Sequence, residues 1–228
     1  MKPQQESAVH RPAFESAGQA VHSWEAYYAP ELTWYRHLRN VLHHLPMFRA
    51  LRKLRPGRVL EVGAGSGSHS IFVSYFCPHV VSIDFSRPLI ERCVHHNQKL
   101  RGRAHFLAMD AFQLAFPDRA FDVVFSQGFF EHFSDEEISR LLAEQSRVAR
   151  RVVLSVPNRS YAVRDFGDER LLSREAWEEL LGRLGYRLRV SRDYAPARAR
   201  FWRGGRDMYL AVLERAACKE VLSAVRSA

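Results

Sequence analysis

A chain of 228 residues with 46% apolar content is long enough for one α/β domain with a sizeable core and an N-terminal extension. Its formal charge of +9 raises an anionic partner, nucleic acid included, but the excess is mostly arginine spread along the chain, so nucleic-acid binding is not favoured. No apolar run reaches the ~18 residues of a membrane span, and the scattered cysteines Cys77, Cys93 and Cys218 lack C-x-x-C spacing, which argues against structural zinc and for a reducing compartment.

The N-terminus, Met1 to Glu15, is polar and mixed in charge, unlike a secretory signal, so a cytoplasmic protein is expected. Residues 1 to about 20, with Pro3 and Pro12, predict little order. A short aromatic segment follows, with Trp24, Tyr27 and Tyr28. Apolar residues at Leu32, Tyr35, Leu38, Val41, Leu42 and Leu45 recur at the helical period and predict a helix over Glu31 to His44. Pro46 is expected to interrupt it before a second helix over Met47 to Leu54. Pro56-Gly57 then breaks the chain, so residues 1–54 read as an extension and 55–228 as the main domain.

From Arg58 onward the pattern alternates. Strand-like runs are Arg58 to Val62, Val80 to Asp84, His105 to Met109, Phe121 to Ser126 and Val152 to Val156. Helix-like runs are Ser68 to Phe76, Arg87 to Leu100, Asp135 to Ala149 and Arg174 to Leu184. Ser134 before Asp135-Glu136-Glu137 is a strong helix start, because the serine caps and the acids oppose the dipole. Two last strands, Tyr186 to Val190 and Met208 to Leu213, have no helix between them. The expected fold is α/β: a doubly wound, seven-stranded, mostly parallel sheet, Rossmann-like, with an antiparallel C-terminal hairpin strand.

The most informative stretch is Glu61-Val62-Gly63-Ala64-Gly65-Ser66-Gly67. It places a glycine turn between a strand and a helix, where open α/β sheets bind nucleotides. Glycine allows positive φ and lets a ligand approach the backbone without meeting a Cβ. The spacing is G-x-G-x-G after an acid, not the dinucleotide G-x-G-x-x-G.

With Val81-Ser82-Ile83-Asp84-Phe85-Ser86, Met109-Asp110-Ala111, and Phe121-Asp122-Val123-Val124-Phe125 followed by Glu131-His132, four motifs stand in order. Over roughly residues 55 to 215 the chain resembles the class I S-adenosylmethionine (SAM)-dependent methyltransferases of the small-molecule type. The resemblance implies SAM as cofactor. It implies that Gly63, Ala64, Gly65 and Gly67 cup it, that Glu61 helps place its ammonium, and that Asp84 takes the ribose hydroxyls. It puts Phe85, Asp110 and Ala111 at the adenine and Gln127 and Gly128 near the sulfonium. It also implies that the aromatic N-terminal segment is a lid.

No Asn/Asp-Pro-Pro-aromatic tetrad, no aspartate at the fourth strand end and no Pro-Cys pattern is present, which makes nucleic-acid methylation the minority reading. His132 reads as a tentative general base or as a packing residue. His69 reads most readily as a surface residue, and His43-His44 and His95-His96 as solvent-facing. No histidine has metal-ligand spacing. Tyr27, Tyr28, Phe130, Asn158, Arg159 and Tyr161 are the expected acceptor wall, with Arg159 and Arg164 suited to a carboxylate or phosphate. The expected reaction is in-line transfer of a methyl group to an oxygen or nitrogen of a small molecule. The alternative is RNA or protein methylation, motivated by Arg198, Arg200, Arg203 and Arg206 with Phe201 and Trp202 among them.

Overall fold

Seven strands pair into one sheet: β1 (Arg58–Val62), β2 (His79–Asp84), β3 (His105–Ala108), β4 (Phe121–Gln127), β5 (Ala149–Pro157), β6 (Tyr186–Tyr194) and β7 (Met208–Arg215). The computed structural model describes residues 23–161, 168–195 and 206–215. The strand order is β3-β2-β1-β4-β5-β7-β6. β1 through β5 pair in parallel, and β7 runs antiparallel to both β5 and β6. This is the doubly wound sheet with a C-terminal hairpin that the alternation of runs predicts. Chain order reverses between β1 and β4, and a crevice forms where neighbouring connections leave on opposite faces.

Period-two side chains explain why the central strands are almost wholly apolar. Val59, Val123, Phe125, Val153, Leu210 and Val212 enter a core on one face. Leu60, Val62 and Val124 enter a second core, and Val152, Leu154, Val156, Tyr209, Ala211 and Leu213 a third. The first core is covered by residues of α2 (Trp34–His43), α3 (Leu45–Lys53), α4 (Ser68–Val73) and α5 (Arg87–Lys99). The second face is covered by α6 (Asp135–Val148) and α7 (Arg174–Arg183). A four-residue helix, α1 (Trp24–Tyr27), precedes them.

Several boundaries move for local reasons. α2 begins at Trp34 rather than Glu31, because Thr33 is its cap and accepts from the Arg36 amide. Pro46 does not interrupt a helix; it sits in the first turn of α3, where its missing N–H costs nothing. β5 starts at Ala149, because the parallel ladder with β4 begins at the Phe121–Ala149 pair.

The buried face of α2 corrects the apolar stripe read from the sequence. Tyr35, Leu38 and Leu42 are exposed, whereas His37 and Val41 are buried. His37 Nδ1 lies 2.9 Å from Ser68 Oγ, and His44, just past the helix, lies 2.9 Å from Tyr194 Oη. Polar partners inside the fold let histidines take positions expected of leucines. His96 is also buried, and its Nε2 accepts from the Leu32 amide, so His44 and His96 do not face solvent. His69 is 8% exposed and thus not a surface residue either.

α6 carries a reciprocal capping box: Ser134 Oγ accepts from the Glu137 amide while Glu137 accepts from the Ser134 amide. Ser134→Ala is expected to cost about 1 kcal/mol in urea denaturation. An unchanged midpoint would leave the cap without energetic weight. Cys77 and Cys93 are buried free thiols, and Cys218 lies outside the described residues, as do residues 1–22. Among the described residues no helix is long and apolar enough to cross a membrane.

Candidate active site

The glycine turn leaves the tip of β1 and is pinned to β2. The amides of Gly63 and Ala64 both donate to Ile83 O at 2.9 Å. Gly63 and Gly65 have φ of 85° and 52°. A Cβ on Gly63 would come within 2.8 Å of the Phe129 ring, and one on Gly65 within 2.8 Å of the Tyr28 ring. Both positions thus need glycine for conformation and for space. The turn opens into α4 through Gly67.

Asp84 ends β2 behind this turn. Its Oδ2 accepts from the Gly65 amide at 3.2 Å and its Oδ1 from the Ser86 amide at 3.1 Å. Burial raises its carboxyl pKa, and those two amides oppose the rise. Phe85 beside it is 58% exposed. Asp110 accepts from the Phe112 amide in a local turn, and Ala111 packs against the core beneath.

Glu61 is fully buried. Its Oε2 accepts from Ser82 Oγ at 2.8 Å. Its Oε1 lies 3.3 Å from His69 Nδ1 but has no hydrogen-bond donor among the described residues. A buried carboxylate oxygen without a donor is costly unless a charge is meant to meet it.

Gly63, Ala64, Gly65, Gln127, Gly128, His132, Tyr27, Tyr28 and Tyr161 line one cavity of about 580 Å³. β4 reaches it through Gln127, and the Gly128 amide donates to Ser155 O on β5. A 3₁₀ turn, Phe130–His132, then carries Glu131 and His132 to the wall. His132 Nδ1 lies 3.0 Å from Asp168 Oδ1, and its Nε2 lies 4.0 Å from Glu131 Oε1. Burial pushes the Glu131 carboxyl up to about 7, against the pull of His132. Burial also works against the His132 imidazolium, but the Asp168 hydrogen bond and the Glu131 charge outweigh it and raise its pKa.

α1 contributes Trp24 and Tyr27 to the cavity wall. Trp24 meets His132 edge-on at 5.0 Å and stacks on Tyr28 at 6.2 Å. Ser86 Oγ donates to Glu25 Oε1 at 2.6 Å, and Arg92 donates to the Glu25 carbonyl at 2.9 Å. α2 also lines the cavity, through Arg36, Arg39, Asn40 and His43.

Three of the expected acceptor residues are elsewhere. Phe130 is fully buried in the core with Ile138, Leu141 and Trp177, because the 3₁₀ turn aims it inward. Asn158 is 3% exposed and does not line the cavity. Its amide donates to Asp193 Oδ1 and Arg206 O, joining β5 to the last two strands. Arg159 is exposed and also off the cavity wall. Arg164, Arg198, Arg200, Phe201, Trp202 and Arg203 lie outside the described residues. Sequence reasoning missed Asp168, Glu169 and the four residues of α2. Only the last had a readable signal, because positions 36, 39, 40 and 43 fall at i, i+3, i+4 and i+7 on one helical face. Among the described residues no group of three or more His, Cys, Asp or Glu is arranged to hold a metal ion.

A family model described as a methyltransferase domain matches residues 59–151. The demethylmenaquinone methyltransferase of Thermus thermophilus is 35% identical over 109 residues, which are 45% of this chain and 48% of that protein. The eEF1A lysine and N-terminal methyltransferase of Bos taurus is 37% identical over 101 residues, 40% of this chain and 14% of that protein. The chain therefore spans less than half the length of either relative. Among solved structures, the magnesium protoporphyrin IX methyltransferase of Synechocystis with bound S-adenosylhomocysteine (SAH) superposes with a TM-score of 0.60 at 18% identity, over 82% of this chain and 90% of that one.

Proposed function

We propose that this chain, which carries a class I SAM-dependent methyltransferase domain, transfers a methyl group to an oxygen or nitrogen of a small-molecule acceptor. One observation carries the reading. The glycine turn, the Gln127-Gly128 strand tip and His132 line a single cavity of about 580 Å³, the scale of a small-ligand pocket rather than an extended groove.

The residues present fit the cofactor. Glu61 Oε1, buried without a donor, suits an ammonium. The turn at Gly63 and Gly65 leaves no room for a Cβ, as a cradle must. SAM, when bound, supplies a methyl group already activated by the positive charge on sulfur. Asp84 is assigned to the ribose hydroxyls, Asp110, Ala111 and Phe85 to the adenine, and Gln127 and Gly128 to the edge of the reacting centre. Trp24 on the short N-terminal helix and Tyr28 at its C-cap act as a lid that keeps water out, tied down through Glu25 to Ser86 and Arg92. Alignment of the reacting atoms contributes ~7–11 kcal/mol in favourable cases. A base adds ~3–5 kcal/mol. Positioning dominates.

His132 takes the acceptor proton. Its Nδ1–H is donated to Asp168, which fixes the tautomer and leaves Nε2 as the basic nitrogen. His132→Ala is expected to lower turnover ~10²-fold or more. The base must be neutral, and its pKa is raised, so kcat/KM should climb with pH and reach its midpoint above the ordinary histidine value of about 6.5. Asp168→Asn should bring that midpoint down. Normal turnover in the alanine variant with a lower melting temperature would return His132 to a packing role.

The reading as a whole is tested by calorimetry with SAH and with NAD, followed by transfer of a labelled methyl group to panels of small hydroxyl and amine compounds and to polypeptides. NAD binding without SAH binding ends it. Label appearing only in polypeptide moves the acceptor to protein.

A further inference from the structure

The α2 wall of the cavity carries positive charge that the fold does not use. Arg36, Arg39, Asn40 and His43 occupy one helical face, and His37 and Val41 anchor the helix by another, so the polar face is held toward the cavity. α2 contains no acidic residue. Among the described residues the Arg36 side chain makes one long hydrogen bond, 3.5 Å to the Glu31 carbonyl. Arg39 has no hydrogen bond or ion pair among the described residues. Elsewhere the chain gives its structural arginines carboxylates: Arg147 holds Glu144 and Asp118, Arg170 and Arg183 share Asp135, and Arg151 and Arg189 share Glu214. The same cavity is also lined by Glu131, Glu169 and His132, the last paired with Asp168.

The geometry points to an anion subsite formed by Arg36 and Arg39, with Asn40 as an added amide donor. Given the reading of this cavity as the transfer site, on which this inference rests, the acceptor is bifunctional. A carboxylate or phosphate sits on the α2 guanidinium groups, and the hydroxyl or amine that is methylated reaches His132 on the wall of the same cavity. Paired guanidinium forks are the side chains best suited to planar or tetrahedral oxyanions, and a cavity lined by both guanidinium and carboxylate groups suits a molecule that carries an anion beside its methylated hydroxyl or amine. The methyl donor's own carboxylate has the same chemistry, so the experiment must separate the two sources.

The protein saturated with SAH is titrated with inorganic phosphate and, separately, acetate, followed by NMR. Saturable binding is expected, weakened ~10-fold or more in the Arg36→Ala/Arg39→Ala double variant and less in the double lysine variant, because charge-assisted hydrogen bonds are lost. Affinity for SAH should stay within about twofold in every variant, since removing the anion contacts of the acceptor leaves the cofactor's own contacts in place. Phosphate binding that ignores the arginines, or no saturable binding at all, overturns the subsite. A comparable loss of SAH affinity with phosphate binding intact assigns the arginines to the cofactor and overturns it too. The titration is repeated without SAH. Should the wild type fail to bind SAH, the transferase reading falls by itself, and the phosphate titration still decides the subsite.

Discussion

Asp84→Ala is expected to weaken SAH binding by ~1.5–3 kcal/mol, roughly 10- to 150-fold in Kd. The carboxylate is nearly buried, and two amides already hold it, Gly65 N at 3.2 Å and Ser86 N at 3.1 Å. Each of its oxygens keeps a second lone pair for a ribose hydroxyl. The same two amides make the variant costly for folding. Alanine strands both, at about 1–3 kcal/mol for each buried unsatisfied group. Asp84→Asn separates the effects, since its carbonyl oxygen still accepts from one amide while the charge is gone. The expected pattern is a large affinity loss in both variants and a larger drop in melting temperature for alanine. Wild-type affinity in a folded Asp84→Asn protein would remove the ribose role and leave Asp84 as a brace for the glycine turn.

The parts of this molecule that were legible in its sequence are those set by local chemistry. Strands buried on both faces must be continuous apolar runs, so β1, β2, β4 and β5 stand out against capped amphipathic helices. Ser134 announces α6, because a hydroxyl at the cap serves a backbone amide three residues on. The glycine turn is legible for the same reason. What was not legible depends on partners far away in the chain. His37 and His44 take the buried face of α2 and its end because Ser68 and Tyr194 offer oxygens 31 and 150 residues away. Asp168 meets His132 across 36 residues from a stretch with no periodic pattern. Phe130 and Tyr161 illustrate a third limit. Both follow strand tips at the sheet's carboxyl edge, yet one is core and the other cavity wall. Proximity to a strand tip does not set the direction of a side chain; the dihedrals of the following turn do.

Acidification should loosen the α2 side of the fold through His37, and the size of that effect is readable. The ring is 1% exposed, with Nδ1 at 2.9 Å from Ser68 Oγ, Trp34 and Tyr75 packed around it and His69 nearby. Burial, and then the His69 charge, lowers its pKa to about 4 from an ordinary value of 6.5. The unfolded chain therefore binds a proton between pH 6.5 and about 4 that the native chain refuses. Stability rises with pH wherever the unfolded state holds more protons, so this group's contribution is complete above 6.5 and drains away as pH falls toward 4. At 1.36 kcal/mol per unit, the loss attributable to His37 is about 3 kcal/mol. His44 and His96, depressed chiefly by burial, act with the same sign. Glu131, raised to about 7 by burial, acts with the opposite sign, since its native form holds the extra proton. The absolute pH profile therefore mixes opposing groups, and the difference between two proteins isolates one. His37→Gln keeps an amide to meet Ser68 and cannot titrate. Urea unfolding across the pH series should show the wild type losing about 3 kcal/mol more than the variant between pH 6.5 and 4, with the two curves parallel above and below that window. Curves that stay parallel throughout would mean that His37 charges without resistance, and that the buried ring on α2 is not the acid-sensitive joint between this helix and the start of α4.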